Sequence, residues 1–211
     1  RLSVQRRSQW QSVSIPFSTF SMTHESRKAY KDFNIGIQFL NDKSGSSLLT
    51  LNQLNIGFSK IFYLNNLSQF SIGSIFGISE KRINYESLFF LEDEPINSDK
   101  FIFLDVGSGV SYKSNQNKII SYNLGIAIFH LNKPKNSFDN NNSEILPIRH
   151  NSHFGLNYNY SSKLKLKSEI ILNRQSSQKE ILFGVSPRIN MSENIVSTNI
   201  YYRLKDAIII G

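Results

Sequence analysis

Apolar and polar residues alternate one by one along most of this chain, and a period of two predicts strands rather than helices. Between residues 152 and 161, one set of alternate positions is apolar: Phe154, Leu156, Tyr158 and Tyr160. The other set is polar or small: His153, Gly155, Asn157 and Asn159. Successive side chains of a strand point to opposite faces, so each such segment has one apolar and one polar face.

The alternation predicts eleven strands and the start of a twelfth. They lie near residues 2–9, 13–23, 33–41, 49–62, 68–79, 100–112, 118–131, 151–160, 164–173, 179–189 and 196–204, with another beginning at 207. Most reach the roughly 9–11 residues that cross a bilayer when a strand is tilted. Stretch 24–32 lacks the alternation and is interpreted as a polar loop or a single turn. The chain has no run of about 18 apolar residues, which a membrane helix would require.

Glycine indicates which face is the interior. Nine of the eleven glycines fall on the polar face of a predicted strand: positions 36, 57, 73, 77, 107, 109, 125, 155 and 184. Glycine weakens an ordinary strand, but small residues relieve crowding on the concave side of a curved sheet. We therefore expect the polar face to look inward and the apolar face to meet lipid. The predicted fold is all-β, an antiparallel up-and-down transmembrane β-barrel, with a single domain over residues 1–211.

Connector lengths predict the orientation of this barrel. Outer-membrane barrels have short periplasmic turns and longer extracellular loops. Segments 42–48, 80–99 and 132–150 are therefore expected to face the cell exterior. Segment 24–32 is longer than this scheme favours, because it would join strands on the periplasmic side.

The formal net charge of +8 raises the possibility of nucleic-acid binding, but the arrangement of the basic residues argues against it. They alternate with apolar residues instead of forming a block. We interpret them as lining a lumen and solvent loops, with no nucleic-acid partner. The candidate lumen-facing residues are Lys163, Lys165, Lys167, Glu169 and Arg203.

No pattern in the chain predicts catalysis, a metal or a cofactor. The absence of cysteine excludes disulfides and thiolate metal sites. The four histidines have no ligand spacing, and the acidic run at 92–94 lacks the spaced oxygens and glycine of a calcium loop. No nucleophile elbow or phosphate-binding glycine loop occurs.

Six segments, taken together and in order, carry a family resemblance. They are 6–13 (RRSQWQSV), 16–21 (PFSTFS), 36–45 (GIQFLNDKSG), 52–54 (NQL), 124–134 (LGIAIFHLNKP) and 202–207 (YRLKDA). The chain resembles the PorP/SprF family of outer-membrane proteins, found with the type IX secretion and gliding machinery of Bacteroidetes. The resemblance implies a barrel of about fourteen strands, of which this chain holds 11–12, with more sequence expected beyond both ends.

The resemblance also implies a non-catalytic function. It predicts an outer-membrane protein that contacts lipid and binds a secreted surface adhesin, or its C-terminal domain, to help export or anchor it. Periplasmic or lipoprotein components of the type IX system are further expected partners. The candidate partner-contact residues are Asn41, Asp42, Lys43, Gly45, Lys133, Pro134 and Phe138. The turn at 41–45 is equally well interpreted as a hairpin stabilised by its Asp and Gly.

Two alternatives remain open at this stage. One is an outer-membrane solute channel, whose lysines and arginine would favour anions. The other is a soluble β-sandwich that binds nucleic acid.

Overall fold

The computed structural model describes residues 1–9, 12, 16–44, 49–84, 99–115, 119–138, 144–191 and 194–211. These residues form strands joined by turns and loops. The strands are β1 (Leu2–Gln9), β2 (Phe17–Tyr30), β3 (Phe33–Ser44), β4 (Leu49–Asn65), β5 (Ser68–Arg82), β6 (Lys100–Asn115), β7 (Ile120–Phe129), β8 (Arg149–Asn159), β9 (Leu164–Gln175), β10 (Gln178–Asn190), β11 (Ile195–Ser197), β12 (Ile200–Arg203) and β13 (Ala207–Ile210).

The strands form one sheet in which sequence neighbours are spatial neighbours. The order is β1 to β10, then β12 and β13, with β11 pairing beside β10. Neighbouring strands run antiparallel, with, for example, Gly155 opposite Glu169 between β8 and β9. This is the up-and-down topology of the predicted transmembrane β-barrel, and the all-β prediction is confirmed. β1 and β13 end the order as edge strands.

The apolar side chains face outward, as predicted from the alternation. Phe154 is 44% exposed and Leu156 is 37% exposed, while Gly155 between them is buried. Among the described residues, the only buried large hydrophobic side chain is Phe103, whereas Asn55, Ser79 and Ser114 are buried polar residues. A soluble sheet protein buries its apolar face, so this distribution is that of a wall with lipid outside.

The chain groups into two compact units, which are treated separately below. The first unit contains Arg1–Ser59, Ser74–Gly107 and His130–Pro147, and the second contains Lys60–Gly73, Ser108–Phe129 and Ile148–Gly211.

The interpretation of 24–32 as a loop is wrong. β2 continues to Tyr30, and only Lys31 and Asp32 separate it from β3. A register shift between Ser26 and Tyr30 interrupts the alternation, and the Lys28 amide donates to Asn34 Oδ1 at 2.9 Å. A β-bulge of this kind adds a residue to one strand and hides its period. The correction also removes the one long connector that disagreed with the periplasmic side of the scheme.

The strand predicted at 196–204 is divided into β11 and β12. Proline explains the division, because Pro187 of β10 lies opposite the break. The Thr198 amide donates to the Pro187 carbonyl at 3.3 Å, but Pro187 has no amide hydrogen to return. With β13 in addition, the described residues form 13 strands where the alternation predicted 11–12.

Candidate functional site

The connector between β7 and β8 belongs to the first unit, and its contacts with β6 begin at its first residue. His130 has a positive φ of 60°, so the chain turns sharply away from the strand direction. Its Nδ1 lies 2.8 Å from Oδ2 of Asp105, a residue on the polar face of β6. This contact combines charge and hydrogen bonding wherever the imidazole is protonated.

Asn132 then replaces a missing strand partner. Its Nδ2 donates to the Leu104 carbonyl at 2.7 Å, and its Oδ1 accepts from the Val106 amide at 3.1 Å. The Leu131 amide also donates to the Val106 carbonyl at 2.9 Å. A side-chain amide has the same donor and acceptor as a peptide, so Asn132 satisfies the edge of β6 where β7 has ended.

The connector next forms a small ladder of its own. Lys135 and Ile145 make an antiparallel bridge. The Asn136 amide donates to the Glu144 carbonyl, and the Leu146 amide donates to the Pro134 carbonyl, both at 2.9 Å. The loop backbone on both sides of 139–143 is therefore hydrogen-bonded.

Side chains of the same connector contact the polar face of the wall. The Phe138 ring meets Phe101 edge-on at 4.8 Å between centroids, and Phe101 in turn stacks on Phe103 at 5.9 Å. Lys81 Nζ of β5 donates to Asn136 Oδ1 at 2.6 Å. We call residues 130–138 and 144–147, fixed by these contacts, the anchored loop.

The anchored loop leaves a mixed surface uncovered. Leu131 is 42% exposed, Ile145 is 51% exposed, and Lys133 between them in sequence is exposed as well. Exposed apolar side chains on a hydrogen-bonded backbone are typical of protein-binding surfaces, because little backbone entropy remains to be lost on binding.

The predicted partner-contact residues have different surroundings. Asn41 Nδ2 donates to Asn52 Oδ1 at 2.6 Å, and Asp42 accepts from the Thr19 hydroxyl at 2.5 Å, so both stabilise their own part of the sheet. Lys43 is exposed. Gly45 lies outside the described residues, as does the acidic run at 92–94. In the anchored loop, Pro134 is buried, Phe138 is half-buried, and Lys133 is exposed.

The predicted lumen-facing charges belong to the second unit, and several of them are paired. Lys167 Nζ lies 2.6 Å from Glu169 Oε2 on the same strand. Arg203 Nε lies 3.1 Å from Glu180 Oε1, and its Nη1 lies 2.7 Å from Asp206 Oδ2. Lys163 and Lys165 are exposed, and neither side chain bonds to another described residue. Pairing therefore reduces the positive charge that the sequence suggests for this face.

Glu169 also joins three strands through a glycine. It lies opposite Gly184, which lies opposite Tyr201, and the Tyr201 hydroxyl donates to the Glu169 carboxylate. A Cβ added at Gly184 would come within 2.5 Å of Tyr201 Cε1. The Tyr201 ring occupies the space above Gly184, so this glycine permits the bond.

Sequence reasoning missed the groups that hold the anchored loop: Lys81, Phe101, Asp105, Asn132 and Asn136. One signal for them was present in the sequence. Phe101 and Phe103 are apolar residues on the polar face of a predicted strand, which marks a place where something covers that face. The covering segment itself could not be read from the pattern.

Within the described residues, no group of three or more His, Cys, Asp or Glu side chains could hold a metal ion. No described helix is long and apolar enough to cross a membrane.

Comparisons with known proteins agree with this architecture. The profile of the family described as "Type IX secretion system membrane protein PorP/SprF" matches residues 1–211. Among solved structures, the "KdgM porin in complex with disordered oligogalacturonate" is similar at a TM-score of 0.52 and 11% identity, covering 96% of this chain and 91% of that chain. A second "KdgM porin" structure is similar at a TM-score of 0.52, 10% identity and the same coverage. At such identities the likeness concerns the fold alone. No curated protein sequence matches.

Proposed function

Because this chain belongs to the PorP/SprF family of type IX secretion system membrane proteins, and is thus an outer-membrane component of that system, we propose that it binds a secreted surface protein during export or anchoring. The partner is a surface adhesin, recognised through its C-terminal domain. The contact surface is the anchored loop. Periplasmic or lipoprotein components of the system would meet the short connectors at the other strand ends.

The observation that carries this proposal is the fixation of the anchored loop with apolar side chains left exposed. His130, Asn132 and Asn136 each bond to β5 or β6, while Leu131 and Ile145 remain uncovered. A loop held in one conformation loses less entropy when it binds a partner. Of the sequence-predicted contact residues, exposed Lys133 fits this surface best.

Copurification tests the proposal. The full-length protein carrying Ile145→Asp and Lys133→Glu should recover at least about tenfold less secreted adhesin from outer membranes, since buried interface anchors each contribute more than about 1 kcal/mol. Met191→Asp is the matched control, because Met191 is also an exposed apolar residue in a connector. Equal adhesin recovery with both variants would refute the assignment of the surface.

The proposal includes an orientation, with the anchored loop at the cell exterior. The support is connector length: 83–99 and 130–148 lie on one side, against the two-residue turns 31–32 and 66–67 on the other. The chain has no cysteine, so single cysteines can report the side. Ser177 lies in the turn between β9 and β10, at the same strand ends as the long connectors. Ser177→Cys should react with an impermeant maleimide on intact cells, and Asn66→Cys only after permeabilisation. The reverse labelling would invert the assignment.

A solute channel is the second candidate, supported by the polar face of β9 and by the porin-like fold. Its predicted anion preference would rest on Lys163 and Lys165, because Lys167 and Arg203 are paired with carboxylates. Planar-bilayer recording decides between the two functions. A purified, folded protein with no conductance would remove the channel, and anion-selective conductance lost in Lys163→Gln/Lys165→Gln would favour it.

A further inference from the structure

Three basic side chains stand side by side on the outward face of the second unit. His150 of β8 lies opposite Arg174 of β9, and Arg174 lies opposite Lys179 of β10. All three are exposed, and their side chains make no hydrogen bond or ion pair with the described part of the chain. We call His150, Arg174 and Lys179 the basic row.

The basic row lies on the apolar face, at the strand ends next to the turn between β9 and β10. Arg174 shares its face with Leu172 and Ile170, which are 43% and 37% exposed. His150 shares its face with Phe154, and Lys179 shares its face with Phe183. Because these apolar residues meet lipid tails, the row lies at the depth of the lipid headgroups.

A row of this kind needs an external anion. Adjacent strands are about 4.8 Å apart, so the three groups span about 10 Å. Arg174 and Lys179 carry like charges directly opposite each other, which destabilises a sheet. In the first unit, outward polar residues are paired within the protein. Asn52 donates to Glu80, and Arg82 pairs with the same carboxylate. Among the described residues, no carboxylate on the same face pairs with the basic row, since Glu180 lies on the opposite face and pairs with Arg203.

Guanidinium and ammonium groups suit phosphate oxygens, which accept several hydrogen bonds at once.

We propose that the basic row binds the phosphate groups of lipopolysaccharide in the outer leaflet of the outer membrane. The row lies at the strand ends that carry the long connectors, which are assigned to the cell exterior. The ligand there is the phosphorylated glycolipid of the outer leaflet and not a phospholipid. This part rests on the orientation given under the proposed function. The binding itself is independent of any secreted partner.

Lipid titration of the purified, folded full chain tests this inference. The probes are diphosphorylated lipid A, its dephosphorylated form and phosphatidylglycerol, with the shift in melting temperature as the readout. Arg174→Gln/Lys179→Gln should bind diphosphorylated lipid A at least about tenfold more weakly, since each basic residue near an anionic surface strengthens binding by about fivefold.

The matched control is Lys165→Gln/Arg188→Gln, which removes the same charge from the same two strands. Lys165 and Arg188 are exposed and lie opposite each other on the other face of β9 and β10. This variant should keep lipid A affinity within about a factor of two. Equal weakening in both variants would leave only a general charge effect and overturn the site.

The lipid series separates the remaining outcomes. Equal binding of dephosphorylated lipid A would exclude phosphate recognition, and equal binding of phosphatidylglycerol would exclude the glycolipid. A variant that loses lipid A but still recovers adhesin would support this inference without touching the proposed function. A wild type that binds lipid A but recovers no adhesin would refute the proposed function alone.

Discussion

The anchored loop and the basic row both lie at the ends of long strands, but their charges are treated in opposite ways. In the anchored loop, His130 meets Asp105 and Lys81 meets Asn136. In the basic row, His150, Arg174 and Lys179 face one another without an acidic partner in the described chain. Paired polar groups build structure, and unpaired cations at headgroup depth are available to a ligand. Polar groups that hold the wall together should therefore affect stability, and those of the row should not.

Substitution at the three-strand contact of Gly184 should have the largest effect. In Gly184→Ala, the new Cβ would meet the Tyr201 ring at 2.5 Å and displace the hydroxyl from Glu169. Overpacking and the lost bond to a charged group together cost about 3 kcal/mol. Urea titration followed by circular dichroism in phospholipid vesicles measures the free energy of unfolding.

Gly36→Ala is the control for this substitution, because its Cβ would meet only a carbonyl oxygen at 3.7 Å. Adding Tyr201→Ala to Gly184→Ala should recover the overpacking part, since the ring is then absent. Equal stability of the two single variants would show that the glycine does not create the space for Tyr201.

A sheet with its apolar face outward could be predicted from the sequence, because the exposure of Phe154 and Leu156 follows directly from a period of two. The nearby charges Lys167 and Glu169 could also be placed on one face. Their ion pair could not be predicted, because a period gives the face of a side chain but not its rotamer.

Other features depend on residues distant in sequence. The bulge near Lys28 depends on an acceptor supplied by Asn34, and the anchored loop depends on Asp105, 25 positions before His130. Lateral alignment of His150 with Arg174 depends on the strand register, which local alternation leaves open.

Breaking the anchored loop should have the next largest effect, and it should be local. Asn132→Asp keeps the acceptor for the Val106 amide but loses the donor to the Leu104 carbonyl and brings two oxygens together. We expect the free energy of local opening of the loop to fall by about 2 kcal/mol. Amide exchange at Leu131 and Val106 should then be roughly thirtyfold faster. Hydrogen-exchange mass spectrometry measures it.

Asn194→Asp is the control for the loop, because Asn194 is an exposed residue in a short connector. It should leave exchange at Leu131 unchanged. If Asn132→Asp did the same, the amide would not be the group that fixes the loop.

Removal of a paired cation from the wall should have a smaller effect. Arg203→Gln breaks the contacts with Glu180 and Asp206, but these groups are about a third or more exposed, so solvent screens them. The expected loss is about 0.5–1 kcal/mol in the free energy of unfolding, decreasing at high salt. Arg188→Gln, at an exposed arginine, should change it less. A loss that is independent of salt would assign the effect of Arg203 to packing instead of charge.

The smallest effect on stability should come from the basic row, and its sign is informative. In zwitterionic phospholipid vesicles, Arg174→Gln/Lys179→Gln should change the free energy of unfolding by less than about 0.5 kcal/mol, in the stabilising direction, because it relieves repulsion between directly opposed like charges. When diphosphorylated lipid A is added, the wild type should gain more stability than the variant, since the variant binds this lipid more weakly. The order of the two proteins should then reverse. A variant that is less stable than the wild type in both kinds of vesicle would mean that Arg174 and Lys179 support the wall, as the paired groups of the first unit do.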